Sequence, residues 1–367
     1  MGFIFRRRNF KAIKTLKFYQ VTEDQAFRNP MKFLITPITI LNSVKNLVYK
    51  LKSSRRCRKE YMKPFNKMTR LRNLSVNIQV NRISRIFFQS LENLVRISTN
   101  LKTFKLYTMG TIASNHFNSL AKKLGSMKHL EKLTLNIDSL DSPSRINNEF
   151  CSNLAESLTE MKRLQSLDWS LEGSIIDSYG YEAFGHALAQ VPSLKAINLY
   201  IPTQEIVQAQ VDELPIQQVN NNQQDFRSLF TALSCLPNIS RVNVGPITGP
   251  CFQGKNVVLF EILSQLTQVQ DLELCLFGQT IPFYNLNPLR DCLLALKNLK
   301  KLKLTFELVQ IVPGGEFDLY EISEALDCFH NLESLKFAFK YIQKRMNLPY
   351  TSNPSPLPIA RFEVPCN

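Results

Sequence analysis

Apolar and polar residues alternate along this chain in one short phrase, apolar-x-x-apolar-x-apolar, that recurs at nearly constant intervals. Nine instances are strong: Leu71/Leu74/Val76, Leu101/Phe104/Leu106, Leu130/Leu133/Leu135, Leu164/Leu167/Trp169, Leu194/Ile197/Leu199, Ile239/Val242/Val244, Val269/Leu272/Leu274, Leu299/Leu302/Leu304 and Leu332/Leu335/Phe337. Two weaker ones precede them, Ile13/Leu16/Phe18 and Val44/Leu47/Tyr49. First positions are separated by 31, 27, 30, 29, 34, 30, 45, 30, 30 and 33 residues, a clustering that marks an internal repeat.

Within the phrase, positions four and six share one side of an extended chain, so they predict the core face of a short strand. Position eight continues the alternation as Ile78, Ile137, Leu171, Ile201, Leu276, Phe306 and Phe339. Between phrases the apolar spacing changes to three, four and seven, as in Phe117/Leu120/Leu124, Phe150/Leu154/Leu158 and Leu259/Ile262/Leu263/Leu266. That spacing predicts one buried helix face per unit. A single strand-plus-helix unit cannot bury its own apolar surface. Stacking about eleven of them places the strands in a parallel sheet with helices along one side.

These units resemble leucine-rich repeats, nearest to the ribonuclease-inhibitor-like class, over roughly residues 8–341. The resemblance implies an α/β horseshoe-shaped solenoid, with a parallel strand sheet on the concave face and helices on the convex face. One feature departs from the class. Position nine, where that class places Asn or Cys, holds Gln79, Met109, Asp138, Glu172, Pro202, Ile247, Phe277, Glu307 and Lys340, so the expected polar ladder is missing.

Charge divides the chain more sharply than hydropathy does. Residues 1–72 hold 19 Lys+Arg against Glu23, Asp24 and Glu60, a net of +16, whereas the remaining 26 Lys+Arg and 27 Asp+Glu nearly cancel. Such density attracts anionic partners through long-range attraction and counterion release. Candidate anion-binding residues are Arg6, Arg7, Arg8, Arg55, Arg56, Arg58 and Lys59. Aromatics interleave with the basic residues, including Phe10, Tyr19, Tyr49 and Phe65, a composition compatible with base stacking. The domain expectation follows: a basic N-terminal cap over 1–60 with two degenerate repeats, a repeat domain over 61–345, and a Pro-rich tail over 346–367. A Gln/Asn-rich insert at about 203–225 accounts for the 45-residue interval. Pro349, Pro354, Pro356, Pro358 and Pro365 predict a tail that is extended and adds no strand.

No motif points to catalysis, and neither a cofactor nor a metal is expected. Gly249 to Asn256 matches a phosphate loop except at its last position, where Asn256 lacks the hydroxyl that holds magnesium, and Pro250 removes an N–H from the cradle. His116, His129, His186 and His330 fall in four different repeats. The eight cysteines include no C-x-x-C pair; Cys151, Cys235, Cys292 and Cys328 stand among apolar neighbours and are expected in the core. The densest apolar stretch, Phe33 to Leu41, is broken by Pro37, so no membrane-spanning helix is expected. No secretory pattern opens the sequence, and the scattered cysteines fit a reducing, cytoplasmic setting.

What remains is the strand face turned away from the core. Positions five and seven supply Asn77, Lys105, Tyr107, Asn136, Asp168, Asn198, Tyr200, Glu273, Lys303 and Lys336, a mixed polar surface with Tyr107 and Tyr200 as candidate anchors. The expected role is a non-catalytic protein-interaction scaffold whose protein partner docks on this face. The alternative is a nucleic-acid or ribonucleoprotein-associated subunit held through residues 1–72, with RNA, DNA or an anionic surface as partner.

Overall fold

Each phrase becomes one short strand in the computed structural model, which describes residues 14–22, 43–53, 68–83, 85–111, 114–138, 147–170, 176, 178–200, 226–248, 257–278, 286–308, 320–341 and 360–365. The chain is an α/β solenoid of about eleven strand repeats. Its contacts define two compact units, residues 1–194 with 219–229 and residues 195–218 with 230–367.

In the first unit the strands are β1 (Thr15–Thr22), β2 (Asn46–Ser53), β3 (Asn73–Arg82), β4 (Thr103–Thr111), β5 (Lys132–Asp138) and β6 (Ser166–Ser170). They pair in parallel, each with its successor, and the phrase stays in register: Leu47 lies against Leu74, Leu74 against Phe104, Phe104 against Leu133 and Leu133 against Leu167. Helices α1 (Arg85–Ile97), α2 (Ser114–Leu124), α3 (Asn148–Glu160) and α4 (Ser178–Ala189) follow β3, β4, β5 and β6 in turn. Asn147 caps α3, its side-chain Oδ1 accepting from the Phe150 N–H at 3.3 Å.

The predicted core is observed through the inner repeats, whereas Leu332, Leu335 and Phe337 of the last repeat are only half-buried. Positions four, six and eight of β3 are buried (Leu74, Val76, Ile78), as are Phe117, Leu120 and Leu124 of α2 and Phe150, Leu154 and Leu158 of α3. Aromatic rings run through this core from strand to helix and from helix to helix. Tyr49 meets Phe87 at 6.3 Å, Phe87 meets Phe88 at 6.2 Å, Phe88 meets Phe117 at 5.1 Å and Phe117 meets Phe150 at 6.1 Å, the last three edge to face.

The second unit contains β7 (Ala196–Tyr200), β8 (Arg241–Thr248), β9 (Asp271–Gly278), β10 (Lys301–Leu308) and β11 (Ser334–Tyr341), again parallel and in chain order. Its helices are α5 (Phe226–Ser234, from Phe230 onward), α6 (Val257–Ser264), α7 (Asn287–Ala295) and α8 (Tyr320–Asp327). The tail departs from expectation. Ala360–Pro365 forms β12, antiparallel to β11, with Phe337 opposite Phe362 and Leu335 opposite Val364. Four of the tail's five prolines lie before residue 360, and Pro365 stands at the end of the strand, where its missing N–H removes little of the ladder.

Main-chain bonding at the strand starts ties successive repeats together within each unit. The carbonyl at position two accepts two N–H groups from the following repeat, those of its positions two and three. Lys45 and Asn46 donate to the Lys14 oxygen, Arg72 and Asn73 to Lys45, Lys102 and Thr103 to Arg72, Glu131 and Lys132 to Lys102, and Gln165 and Ser166 to Glu131. In the second unit the same two-donor clamp falls on the oxygens of Lys195, Ser240, Gln270 and Lys300. Side chains at position three reinforce it in the first repeats, where Asn73 Nδ2 donates to Asn46 Oδ1 at 2.6 Å and Asn46 Nδ2 donates to Thr15 Oγ1 at 2.9 Å.

A further core position lies three residues before the phrase. Met68, Ser98, Met127, Met161, Val191, Leu236, Leu266 and Leu296 are all buried there. Ser98, the polar member, gives its hydroxyl proton to the Met68 carbonyl at 3.2 Å. The residue just before that position faces solvent or its margin in every described repeat, and it explains a misplaced expectation. Cys151 and Cys292 are buried as expected, but Cys235 and Cys328 are exposed because they occupy this outward position ahead of Leu236 and Phe329. Burial pushes the Cys292 thiol up to about 12, so it remains protonated.

Candidate functional site

With positions four, six and eight committed to the core, alternation leaves positions five and seven on the opposite face of each sheet. In the first unit, position five forms the cross-strand row Val48, Ser75, Lys105, Thr134, Asp168, and position seven forms the row Lys50, Asn77, Tyr107, Asn136, Ser170. The sequence candidates Asn77, Lys105, Tyr107, Asn136 and Asp168 therefore come together on four adjacent strands.

Their centre is Thr134, which is buried even though it points away from the core. It lies between Lys105 and Asp168 and is hydrogen-bonded to both Tyr107 and Asp168. Burial raises the Asp168 carboxyl above the usual carboxylate range, against the opposing pull of Lys105 and the Thr134 bond. Burial also raises Tyr107, assisted by the charge of Asp168 and opposed by the Thr134 bond, so the phenol keeps its proton. Thr134 stands at position five of its repeat, but only the bonding pattern identifies it as the bridge.

The second unit carries a separate surface. Position five reads Asn198, Asn243, Glu273, Lys303, Lys336, and the Lys303 ammonium pairs with Glu273. Position seven begins with Tyr200, 38% exposed, and continues through the small residues Gly245, Cys275, Thr305 and Ala338. Gly245 is required by close approach: a Cβ there would stand 2.5 Å from the Cys275 Cβ. The candidates Asn198, Tyr200, Glu273, Lys303 and Lys336 thus share this face. Flanking ion pairs, Arg241 with Asp271 at 2.8 Å and Lys300 with Glu333 at 3.8 Å, tie neighbouring strands at their starts.

The candidate anion-binding residues Arg6, Arg7, Arg8, Arg55, Arg56, Arg58 and Lys59 lie outside the described residues, as do the Gln/Asn-rich insert and the Gly249 to Asn256 loop. Among the described residues no group of three or more His, Cys, Asp or Glu side chains is arranged to hold a metal ion. None of the described helices is long and apolar enough to cross a membrane. His116 stacks on Phe88 at 5.7 Å, and burial, aided by Arg85 and opposed by Glu92, lowers its basicity. His129 contacts Arg163, and His186 pairs with Glu182 on exposed helix surface, so the histidines do not converge.

No family model matches this sequence. No curated protein matches it either. Among solved structures, the chain is similar to one titled "Crystal structure of mouse RP105/MD-1 complex", at 13% identity over 89% of this chain and 74% of that chain, with a TM-score of 0.16. A likeness of that degree carries no argument about fold or function.

Proposed function

We propose that this chain is a divergent leucine-rich-repeat protein of the ribonuclease-inhibitor-like class, serving as a non-catalytic scaffold that holds a protein partner against its open strand face. The observation that carries this reading is the Lys105–Tyr107–Thr134–Asp168 cluster. A half-buried carboxylate with a raised proton affinity costs the fold some stability. A braced tyrosine beside a partly desolvated charge is the kind of feature on which binding energy concentrates.

This separates binding from folding. Asp168→Asn removes the charge whose burial the fold resists, so thermal stability at neutral pH is expected to hold or rise. Affinity for a partner recovered from native cells and then purified is expected to fall on the order of tenfold or more, both in Asp168→Asn and in Tyr107→Ala. Titration calorimetry with the purified partner reads this directly. Unchanged affinity in both variants rejects this face as the site.

A further inference from the structure

Extending the strand rows back to the two weakest repeats exposes a surface unlike the rest of the face. β1 to β4 contain no Asp or Glu, while Lys17, Lys50, Lys52, Arg82 and Lys105 lie on them. Alternation assigns Lys17, Tyr19, Lys50 and Lys52 to the open face, because Leu47, Tyr49 and Leu51 of β2 are buried. All four are exposed, Tyr19 at 59%. Tyr19 pairs with Lys50 in the ladder, and the Lys50 ammonium stands 5.4 Å over its ring. The same row continues from Lys50 to Asn77 and Tyr107. Two aromatic platforms therefore stand three strands apart, roughly 14 Å at about 4.8 Å per strand, with a lysine and an amide between them.

We propose that the open face of β1 to β4 binds single-stranded RNA. An exposed ring beside an ammonium group, on strands that carry no acid, offers a base something to stack on and its phosphate a counter-charge. A duplex hides the faces of its bases, so this arrangement suits unpaired nucleotides. Asn77, half-buried between Lys50 and Tyr107, can both donate and accept, as a ribose 2′-hydroxyl requires. A membrane surface fits less well, because the outward row carries lysines, amides and phenols where insertion needs a continuous apolar stripe. The net +16 of residues 1–72 adds long-range attraction for a polyanion.

The test is fluorescence anisotropy of the full chain with a labelled 12-nucleotide single-stranded RNA of mixed sequence, across a salt series. Binding is expected to weaken with salt. Tyr19→Ala is expected to weaken it on the order of tenfold with no change in charge, while Tyr19→Phe, which keeps the ring, binds like the wild type. Lys50→Gln is expected to lower the logarithmic salt slope by about 0.7. Absence of binding overturns the proposal. So does equal binding by Tyr19→Ala and wild type, which would assign the affinity to charge elsewhere in the basic segment. Equally tight binding of duplex RNA, of DNA of the same sequence, of polyglutamate or of phosphatidylserine vesicles would each overturn the assignment to single-stranded RNA.

Discussion

Phe88→Ala is expected to destabilise the first unit by about 3–5 kcal/mol, the range for truncating a buried aromatic residue without refilling its space. Phe88 is fully buried and touches two other rings edge to face, Phe87 in its own helix and Phe117 in the next. It also supports His116, whose ring lies 5.7 Å away. Removing it leaves a gap in the aromatic run from Tyr49 to Phe150, and neighbouring helices cannot close that gap without giving up their own contacts. Stability in a stacked-repeat protein is a sum over neighbours, so the loss is expected to be local. Urea denaturation measures the total, and amide exchange should show lost protection concentrated in α1, α2 and the strands beneath them. A change below about 1 kcal/mol would contradict the assignment of Phe88 to a packed core.

Gly245→Ala is expected to cost about 1–3 kcal/mol, although the substitution adds one methyl group on an open strand face. The added Cβ would lie 2.5 Å from the Cys275 Cβ, a separation that real carbon atoms do not tolerate. The clash is with the Cβ of Cys275 and not with its sulfur. Cys275→Ala is therefore expected to give no relief, whereas Cys275→Gly in the Gly245→Ala background should recover much of the loss. Thermal melts of the four proteins decide the matter. Equal rescue by both second-site changes would mean that β8 and β9 approach each other differently.

The phrase that revealed the repeat was enough to place the strands, because apolar alternation at positions four, six and eight is imposed by the side-chain period of a strand. Leu74, Leu133 and Leu302 are buried where the alternation placed them. Reading three residues further back would also have revealed the buried position of Met68, Met127 and Leu266, since its apolar signal is as regular as the rest. Cys235 and Cys328 misled because local apolar company was read without repeat phase. One position later, Leu236 is fully buried and Phe329 half-buried.

Other features left less trace. The two-donor clamp on each position-two carbonyl is made by main-chain groups and needs no particular side chain. Among the described residues Asn46 and Asn73 hint at bonding there through their own ladder, and the Ser240 hydroxyl donates to the Lys195 carbonyl at 3.2 Å. β12 carried a readable signal in the alternation of Ala360, Phe362 and Val364, which the preceding prolines obscured. At the candidate site the row order of Lys105, Thr134 and Asp168 followed from the repeat. The raised proton affinity of Asp168 did not, because it depends on how deeply neighbouring strands enclose the carboxyl.

Alternate strand residues stand open in rows while their neighbours are sealed in the core. Cysteine substitutions at Leu74, Ser75, Val76, Asn77, Phe104, Lys105, Leu106 and Tyr107, each in a background freed of native cysteines, test it through the rate of thiol alkylation in the folded protein. Under this architecture, cysteines at 75, 77, 105 and 107 react at least about tenfold faster than those at 74, 76, 104 and 106, since burial both blocks access and disfavours the thiolate. A period of three to four residues in those rates, or no period at all, would contradict it.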